Sequence, residues 1–209
     1  NYSLKDKDKN MIDLYTWHTP NGRKVSIMLE EIGMPYNTFP INIAKDEQFQ
    51  PHFLEVSPNN RIPAIVDKEN NNYSLFESGA ILMYLAEKSG KLINKSNSDE
   101  YYRTIEWLMW QMGGVGPMFG QVHHFVKYNK GKSAYAEERY SKEARRLYGV
   151  MDKRLGQHQY ISGKEYSIAD ISIWPWTARF DWQEIDLNEF PNVTRWYKEM
   201  ADRPAVKKG

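Results

Sequence analysis

The chain has 209 residues, of which 41% are hydrophobic, and its 28 basic and 27 acidic side chains give a formal net charge of +1. A chain of this length can bury one sizeable core or two small ones. Because the charge is nearly neutral and no apolar run approaches the length of a membrane span, we expect neither a nucleic acid nor a membrane as partner.

Cysteine is absent from the sequence. Its absence excludes disulfides, thiolate metal ligands and a cysteine nucleophile, so any sulfur chemistry must belong to a ligand. It also favours a reducing, cytoplasmic location. Residues 1–10 are polar and lack the apolar stretch of a signal peptide, and we interpret them as a polar N-terminal arm.

Short strands alternate with helices over residues 11–90, which predicts an α/β domain. A strand at Ile12–Tyr15 is followed by apolar residues at helical spacing, and this helix should end at Gly33. The other elements predicted here are a strand at Tyr36–Ile43, a helix near Asp46–Leu54, a hairpin of 64–66 with 73–75, and a helix at Ser78–Lys88.

The polar segment 91–98 predicts a linker between two domains. Residues 99–209 are predicted to be all-helical, because apolar residues recur there at helical spacing. The run GGVGP at 113–117 should kink or break the first long helix of this domain. Farther along, Ser167 and Asp170 have capping-box spacing and predict the start of a buried helix.

Three short strings in the first domain offer polar groups that suit a small charged peptide. The string TPNG at 19–22 opens a helix, so it places short polar side chains at a positive helix terminus. The string at 57–65 places Pro63 after an extended Ile62, whose backbone can pair with a peptide. The string FESGAI at 76–81 opens another helix, where a carboxylate can bind.

Together with YSIAD at 166–170, these strings resemble the glutathione transferases, and above all their nu-class branch of bacterial disulfide-bond oxidoreductases. The resemblance covers most of the chain. It implies an α/β N-terminal thioredoxin-like domain, an all-α C-terminal domain and a homodimer. It also implies that glutathione is the co-substrate, that a small disulfide or an electrophile is the second substrate, and that no metal takes part.

The resemblance also assigns roles to single residues. Thr19 and Asn21 would act on the glutathione sulfur, and Ile62 with a cis Pro63 would pair with the cysteinyl backbone. The remaining predicted glutathione-binding residues are Glu77 and Ser78 for the γ-glutamyl end, Gln48 for the glycyl end and Arg139 for a ligand carboxylate.

Such a site must hold the sulfur as a thiolate. A free thiol has a pKa of about 8.5, and lowering it by roughly two units takes about 2.7 kcal/mol of preferential interaction with the anion. One charge-assisted hydrogen bond contributes about 1.5–3 kcal/mol. The Thr19 hydroxyl or the Asn21 amide at a helix N-terminus could therefore suffice without a basic side chain.

Read alone, the same residues also have structural interpretations. Thr19 and Asn21 are common helix caps, an X-Pro bond is usually trans, and an exposed Arg139 beside a glutamate is often a solvated helix face. His123 and His124 have no third ligand at metal spacing, so we expect no metal site. The bulky pair at 17–18, Trp17 and His18, would narrow the entrance to the pocket.

Three functions stay open. The resemblance favours a glutathione-dependent disulfide reductase that uses one or two bound glutathione thiols. The same pocket and thiolate would serve conjugation of glutathione to an electrophile. A non-catalytic binding module of the same fold is the third possibility, and the complete set of predicted site residues argues against it.

Overall fold

The computed structural model describes residues 11–209, so the predicted arm at 1–10 lies outside the described residues. The described chain divides into two compact units, residues 11–89 with 204–209 and residues 90–203. The predicted domain boundaries, 11–90 and 99–209 with a linker at 91–98, stay predictions. No helix in the described part of the chain is long and apolar enough to cross a bilayer.

A four-stranded mixed sheet forms the centre of the first unit. Its strands are β1 (Ile12–Thr16), β2 (Tyr36–Pro40), β3 (Ala64–Asp67) and β4 (Tyr73–Phe76), in the order β2-β1-β3-β4. β1 runs parallel to β2 and antiparallel to β3, and β3 pairs antiparallel with β4. Leu14 of β1 pairs with Ile65 of β3, and both side chains are fully buried.

Three helices of this unit follow the predicted order, α1 (Pro20–Ile32), α2 (Pro51–Leu54) and α3 (Ser78–Ser89). α1 packs against β1 and α3, and α3 packs against β3 and β4. α1 ends at Gly33, whose φ of 68° lies in the left-handed region that favours glycine. The unit therefore has the thioredoxin-like architecture that the resemblance implied.

Two elements are shorter than predicted. β2 ends at Pro40 rather than at residue 43, because Asn42 caps a 3₁₀ turn at Ile43–Lys45 and its side chain accepts from the Ala44 N–H at 3.0 Å. The helix predicted near 46–54 is divided into a 3₁₀ turn at Glu47–Phe49 and the short α2. Pro51 keeps the preceding Gln50 extended, with φ −68° and ψ 140°, so one continuous helix cannot form there.

Helices make up the second unit, which confirms its predicted all-α class. They are α4 (Ser98–Trp110), α5 (Gly116–Val122), α6 (Ala134–Leu155), α7 (Ile168–Thr177) and α8 (Pro191–Asp202). Two π-helical segments, Gln111–Val115 and His123–Tyr128, flank α5. The first π-helical segment is the interruption predicted from the glycine-rich run. Short 3₁₀ turns lie at Ile43–Lys45 in the first unit and at Phe180–Gln183 and Leu187–Glu189 in the second.

α7 is buried along its whole length, and the predicted capping box fixes its start. The Ser167 hydroxyl accepts from the Ala169 N–H at 3.2 Å, and the Asp170 carboxylate accepts from the Ser167 N–H at 3.0 Å. Asp170 also accepts from the Ile161 N–H at 3.0 Å and from the Trp196 indole N–H at 2.8 Å. Despite these bonds, complete burial raises the pKa of Asp170 to about 6.

The last six residues group with the first unit, although they were predicted to belong to the helical domain. A short helix, α9 (Pro204–Lys208), packs against α1 and buries Val206. The Ser26 hydroxyl donates to the Gly209 carbonyl at 2.7 Å, and Lys208 pairs with Glu30 at 2.9 Å. A helical pattern in so short a segment does not show which core the segment joins.

Candidate functional site

The turn between β1 and α1 holds the first pair of predicted site residues. Thr19 is extended (φ −118°, ψ 160°) and caps α1, because its hydroxyl oxygen accepts from the Gly22 N–H at 3.1 Å. A hydroxyl that accepts still has its own proton to donate, so capping is compatible with binding a sulfur. Asn21 lies half-buried in the first turn of the helix.

Gly22 is required by the close approach of the backbone in this turn. A Cβ added at Gly22 would lie 2.3 Å from the Trp17 carbonyl oxygen and 2.5 Å from the Thr16 hydroxyl oxygen. Both distances are too short for real contacts, so a larger residue would displace the turn that carries Thr19. Trp17 and His18 directly precede Thr19 in the chain. Their ring centroids lie 5.1 Å apart, and His18 is exposed.

The loop that leads into β3 carries Ile62 and Pro63. Their peptide bond is cis, as the resemblance implied. Pro63 is buried and Ile62 is half-buried. The loop is tied by the Ser57 hydroxyl, which donates to the Arg61 carbonyl at 2.8 Å.

Gln48 lies in the 3₁₀ turn after β2, and its side chain has an unused acceptor. Its amide oxygen is buried and has no hydrogen-bond partner within residues 11–209. A buried polar atom without a partner costs about 1–3 kcal/mol. A ligand that donated a hydrogen bond to Gln48 would remove this cost.

The start of α3 joins two further predicted residues. Glu77 is exposed and has a φ of 72°, in the left-handed region that is uncommon for residues other than glycine. Ser78 follows it as the first residue of α3 and is only 4% exposed. Such backbone conformations cost roughly 1–3 kcal/mol and cluster at ligand sites.

Lys24 of α1 contacts this helix start and was not among the site residues predicted from the sequence. Its side chain is fully buried, and Nζ donates to the Ser78 hydroxyl oxygen at 3.1 Å. Burial lowers the pKa of Lys24 to about 7, and the negative charge of Glu77 opposes the shift. The sequence does carry a sign of this burial. Lys24 lies four residues before Met28, so it places a charged side chain on the apolar stripe of α1.

Arg139 belongs to the second unit, where it is exposed on α6. It lines a cavity of about 570 Å³ together with other residues of α5 and α6, among them Met118, Tyr135 and Tyr140. The positive charge of Arg139 helps to lower the pKa of Glu143, after the hydrogen bond from Arg146. The structure thus places Arg139 beside a cavity that holds both positive and negative side chains.

The two adjacent histidines differ in environment. His124 is exposed, whereas His123 is buried, with ring centroids 5.7 Å from Trp176 and 5.4 Å from Trp182. Its Nε2 lies 3.1 Å from the Gln183 side-chain nitrogen, and burial lowers the pKa of His123 to about 4. His123 is thus a neutral residue of the second unit's core. Among the described residues, no group of three or more histidine, cysteine or acidic side chains is placed to hold a metal ion.

Both halves of the chain match known families. Residues 11–87 match the family described as Glutathione S-transferase, N-terminal domain, and residues 114–204 match Glutathione S-transferase, C-terminal domain. Disulfide-bond oxidoreductase YfcG of Escherichia coli (strain K12) is 47% identical over 200 residues, which cover 94% of this chain and 93% of YfcG. Disulfide-bond oxidoreductase YghU of the same strain is 41% identical over 215 residues, which cover 96% of this chain and 74% of YghU.

Solved structures show the same similarity. A glutathione transferase family member from Pseudomonas fluorescens, with two glutathione bound, has a TM-score of 0.90 and 47% identity over 95% of this chain and 91% of its own. A glutathione transferase from Pseudomonas putida, with one glutathione disulfide bound per subunit, has a TM-score of 0.89 and 44% identity over 96% of this chain and 91% of its own. The chain therefore belongs to the glutathione S-transferase family, in the branch of the bacterial disulfide-bond oxidoreductases YfcG and YghU.

Proposed function

We propose that the protein is a glutathione-dependent disulfide-bond reductase that uses the thiols of bound glutathione. One observation carries this proposal: the chain is similar along nearly its whole length to two disulfide-bond oxidoreductases, yet it contains no cysteine. The two electrons must then come from the ligand. One similar structure has two glutathione bound and another has one glutathione disulfide bound per subunit, which are the ligands expected before and after such a transfer.

The reaction consists of two thiol–disulfide exchanges. The thiolate of one glutathione attacks a sulfur of the substrate disulfide, so that a mixed disulfide forms and the first substrate thiolate leaves and takes a proton. The thiolate of a second glutathione then attacks the glutathione sulfur of the mixed disulfide. The second substrate thiol leaves, and the two glutathiones depart as glutathione disulfide.

In this proposal the N-terminus of α1 holds the attacking sulfur. The Thr19 hydroxyl proton and the Asn21 side chain donate to the thiolate, and the positive end of the helix favours the same negative charge. Each of these groups prefers the anion over the neutral thiol. Their combined effect lowers the pKa of the glutathione thiol toward neutral pH.

The other predicted residues hold the peptide parts of glutathione. Glu77 binds the γ-glutamyl amino group, and Ser78 with the first N–H groups of α3 binds the γ-glutamyl carboxylate. The backbone of Ile62, before Pro63, pairs with the cysteinyl residue. The buried, unpartnered amide oxygen supports a role for Gln48 at the glycyl end.

We also propose, from the resemblance, that the protein is a cytoplasmic homodimer and that residues 11–90 form its glutathione-binding domain. Arg139 binds a ligand carboxylate in this proposal. Its exposed guanidinium beside a cavity supports that role, since two glutathiones carry four carboxylates and a planar guanidinium can bind one of them through two parallel hydrogen bonds.

A direct comparison of two reactions tests the proposed function. Purified protein is given glutathione with a small dialkyl disulfide, with glutathione reductase and NADPH reporting the glutathione disulfide that forms. The same protein is given glutathione with a halo-nitrobenzene. We expect disulfide reduction to be the faster reaction, whereas faster conjugation would reassign the protein as a conventional transferase, and absence of both would favour a binding module.

A further inference from the structure

Lys24 occupies a place that is unfavourable for a cation. Its side chain is fully buried, and its Nζ lies 3.1 Å from the hydroxyl oxygen of Ser78, the first residue of α3. The N-terminus of a helix carries a partial positive charge, so it repels an ammonium group. Burial also disfavours the charged form. An anion bound at this helix start would offset both effects by its attraction for the ammonium group.

The exposed Glu77 is the acidic side chain whose negative charge raises the pKa of Lys24. α1 packs against β1, α3 and α9. The other charged side chains of those three elements form ion pairs elsewhere or are exposed: Asp13 with Lys68, Lys88 with Asp67, Lys208 with Glu30, and the exposed Glu87 and Lys207. A ligand carboxylate at the start of α3 would add a negative charge beside Lys24, and that charge would favour the ammonium form.

We propose that Lys24 is a positioning residue for the γ-glutamyl carboxylate, whose buried amine takes up a proton from solvent when that carboxylate binds at the start of α3. The proposal rests on the proposed function, because it takes glutathione as the ligand of this helix start. The protonated amine donates to the Ser78 hydroxyl oxygen and so orients that hydroxyl toward the carboxylate, which the positive charge attracts. The new N–H bond is the only covalent bond that forms.

The unliganded state is consistent with this role. With a pKa of about 7, the amine of Lys24 is largely neutral in slightly alkaline solution. A neutral amine can still donate to Ser78, so the helix start keeps its geometry while it awaits the anion. Binding of the carboxylate then raises the pKa of Lys24, because a nearby negative charge favours the ammonium form.

Proton uptake on binding is the direct test. S-methylglutathione carries the carboxylates of glutathione but has no thiol to ionise, so it is the probe. Its binding enthalpy is measured by calorimetry at about pH 8 in two buffers of different ionisation enthalpy. For the wild type we expect uptake of about half a proton or more per molecule bound, and a Kd that rises several-fold for each pH unit above about 7.

Three variants separate this role from a structural one. Lys24→Met removes the charge at similar volume, and we expect a Kd at least roughly tenfold higher with no proton uptake. Lys24→Arg keeps a charge that does not titrate, so we expect binding without proton uptake. Lys208→Met removes a lysine of the same unit from the surface and should behave as the wild type. Circular dichroism identifies any variant that fails to fold.

The possible outcomes are distinct. Wild-type binding with proton uptake that Lys24→Met abolishes supports the proposal. Wild-type binding without proton uptake, and with the same Kd in a folded Lys24→Met, overturns the role of Lys24 and leaves the proposed function intact. Failure of the wild type to bind either S-methylglutathione or glutathione at millimolar concentration overturns the proposed function, and the role of Lys24 with it.

Discussion

The starts of α7 and α3 each place a buried ionisable side chain beside a serine, but the two charges have opposite signs. At α7 the carboxylate of Asp170 lies at the positive end of the helix and accepts hydrogen bonds from Ile161, Ser167 and Trp196. At α3 the amine of Lys24 donates to Ser78 at the same kind of helix end. Helix electrostatics favour the first arrangement and oppose the second.

We interpret the first arrangement as a structural capping motif and the second as part of the proposed glutathione site. Asp170 obtains its hydrogen-bond donors from its own unit, so the start of α7 is complete without a ligand. The start of α3 combines a disfavoured cation with the left-handed Glu77. A bound anion would favour this second arrangement, so substitutions at α7 should affect folding, and substitutions at the proposed glutathione site should affect turnover or binding.

Removing the carboxylate at α7 should have the largest effect. Asp170→Ala leaves buried N–H groups without acceptors, and we expect a loss of about 3 kcal/mol or more in the free energy of unfolding. Asp170→Asn keeps one acceptor oxygen and should lose less. Urea unfolding of the three proteins measures both effects, and a loss below about 1 kcal/mol in Asp170→Ala would show that the capping box does not stabilise the unit.

Removing one of the proposed thiolate donors at α1 should affect turnover more than folding. For Asn21→Ala we expect kcat/KM for disulfide reduction to fall roughly ten- to hundred-fold, since one charge-assisted hydrogen bond contributes about 1.5–3 kcal/mol. Thr19→Ala should lose a similar or smaller factor, and also about 1 kcal/mol of stability from the lost cap. Unchanged turnover in both variants would mean that another group activates the sulfur.

The two buried ionisable groups should give opposite slopes of stability against pH. The pKa of Lys24 falls on folding from 10.5 to about 7, so the unfolded chain binds more protons between these values and stability rises with pH across that window. The pKa of Asp170 rises on folding from 3.8 to about 6. The folded chain therefore binds more protons than the unfolded chain between these values, and stability falls as pH rises across that window.

Unfolding of wild type and Lys24→Met over a pH series isolates the effect of Lys24. The variant should lack the rise above about pH 7, and near neutral pH it should be as stable as the wild type or more stable, because an apolar residue replaces a buried ion. Parallel curves for the two proteins would mean that the pKa of Lys24 does not change on folding.

Cysteine-directed alkylation should have no effect at all. The chain has no thiol, so protein treated with iodoacetamide, and then freed of the reagent, should reduce disulfides at the untreated rate. Glutathione alkylated in the same way should not support the reaction. A loss of activity in treated protein would indicate a nucleophile other than cysteine in the mechanism.

Much of the fold and part of the site could be predicted from local sequence signals. The spacing that ends at Gly33 predicted α1, and Ser167 with Asp170 predicted the capping box of α7. These signals depend on neighbouring residues only. The resemblance, rather than the spacing, supplied the cis bond before Pro63.

The remaining features depend on contacts between distant residues. Lys24 lies 54 residues from its partner Ser78, and the hydrogen bond from Ser26 to Gly209 spans 183 residues. Neither pairing leaves a periodic pattern in the sequence. A charge on the apolar stripe of α1 was the one local sign that Lys24 has a special role.

The balance of thiols during turnover tests the central claim most directly. Protein, glutathione and a small dialkyl disulfide are mixed without recycling enzymes, and glutathione disulfide and substrate thiols are measured over time by chromatography. The account predicts one glutathione disulfide and two substrate thiols for each disulfide consumed, at a rate that Asn21→Ala lowers. Consumption of the disulfide no faster than without protein, or at the same rate with Asn21→Ala, would contradict it.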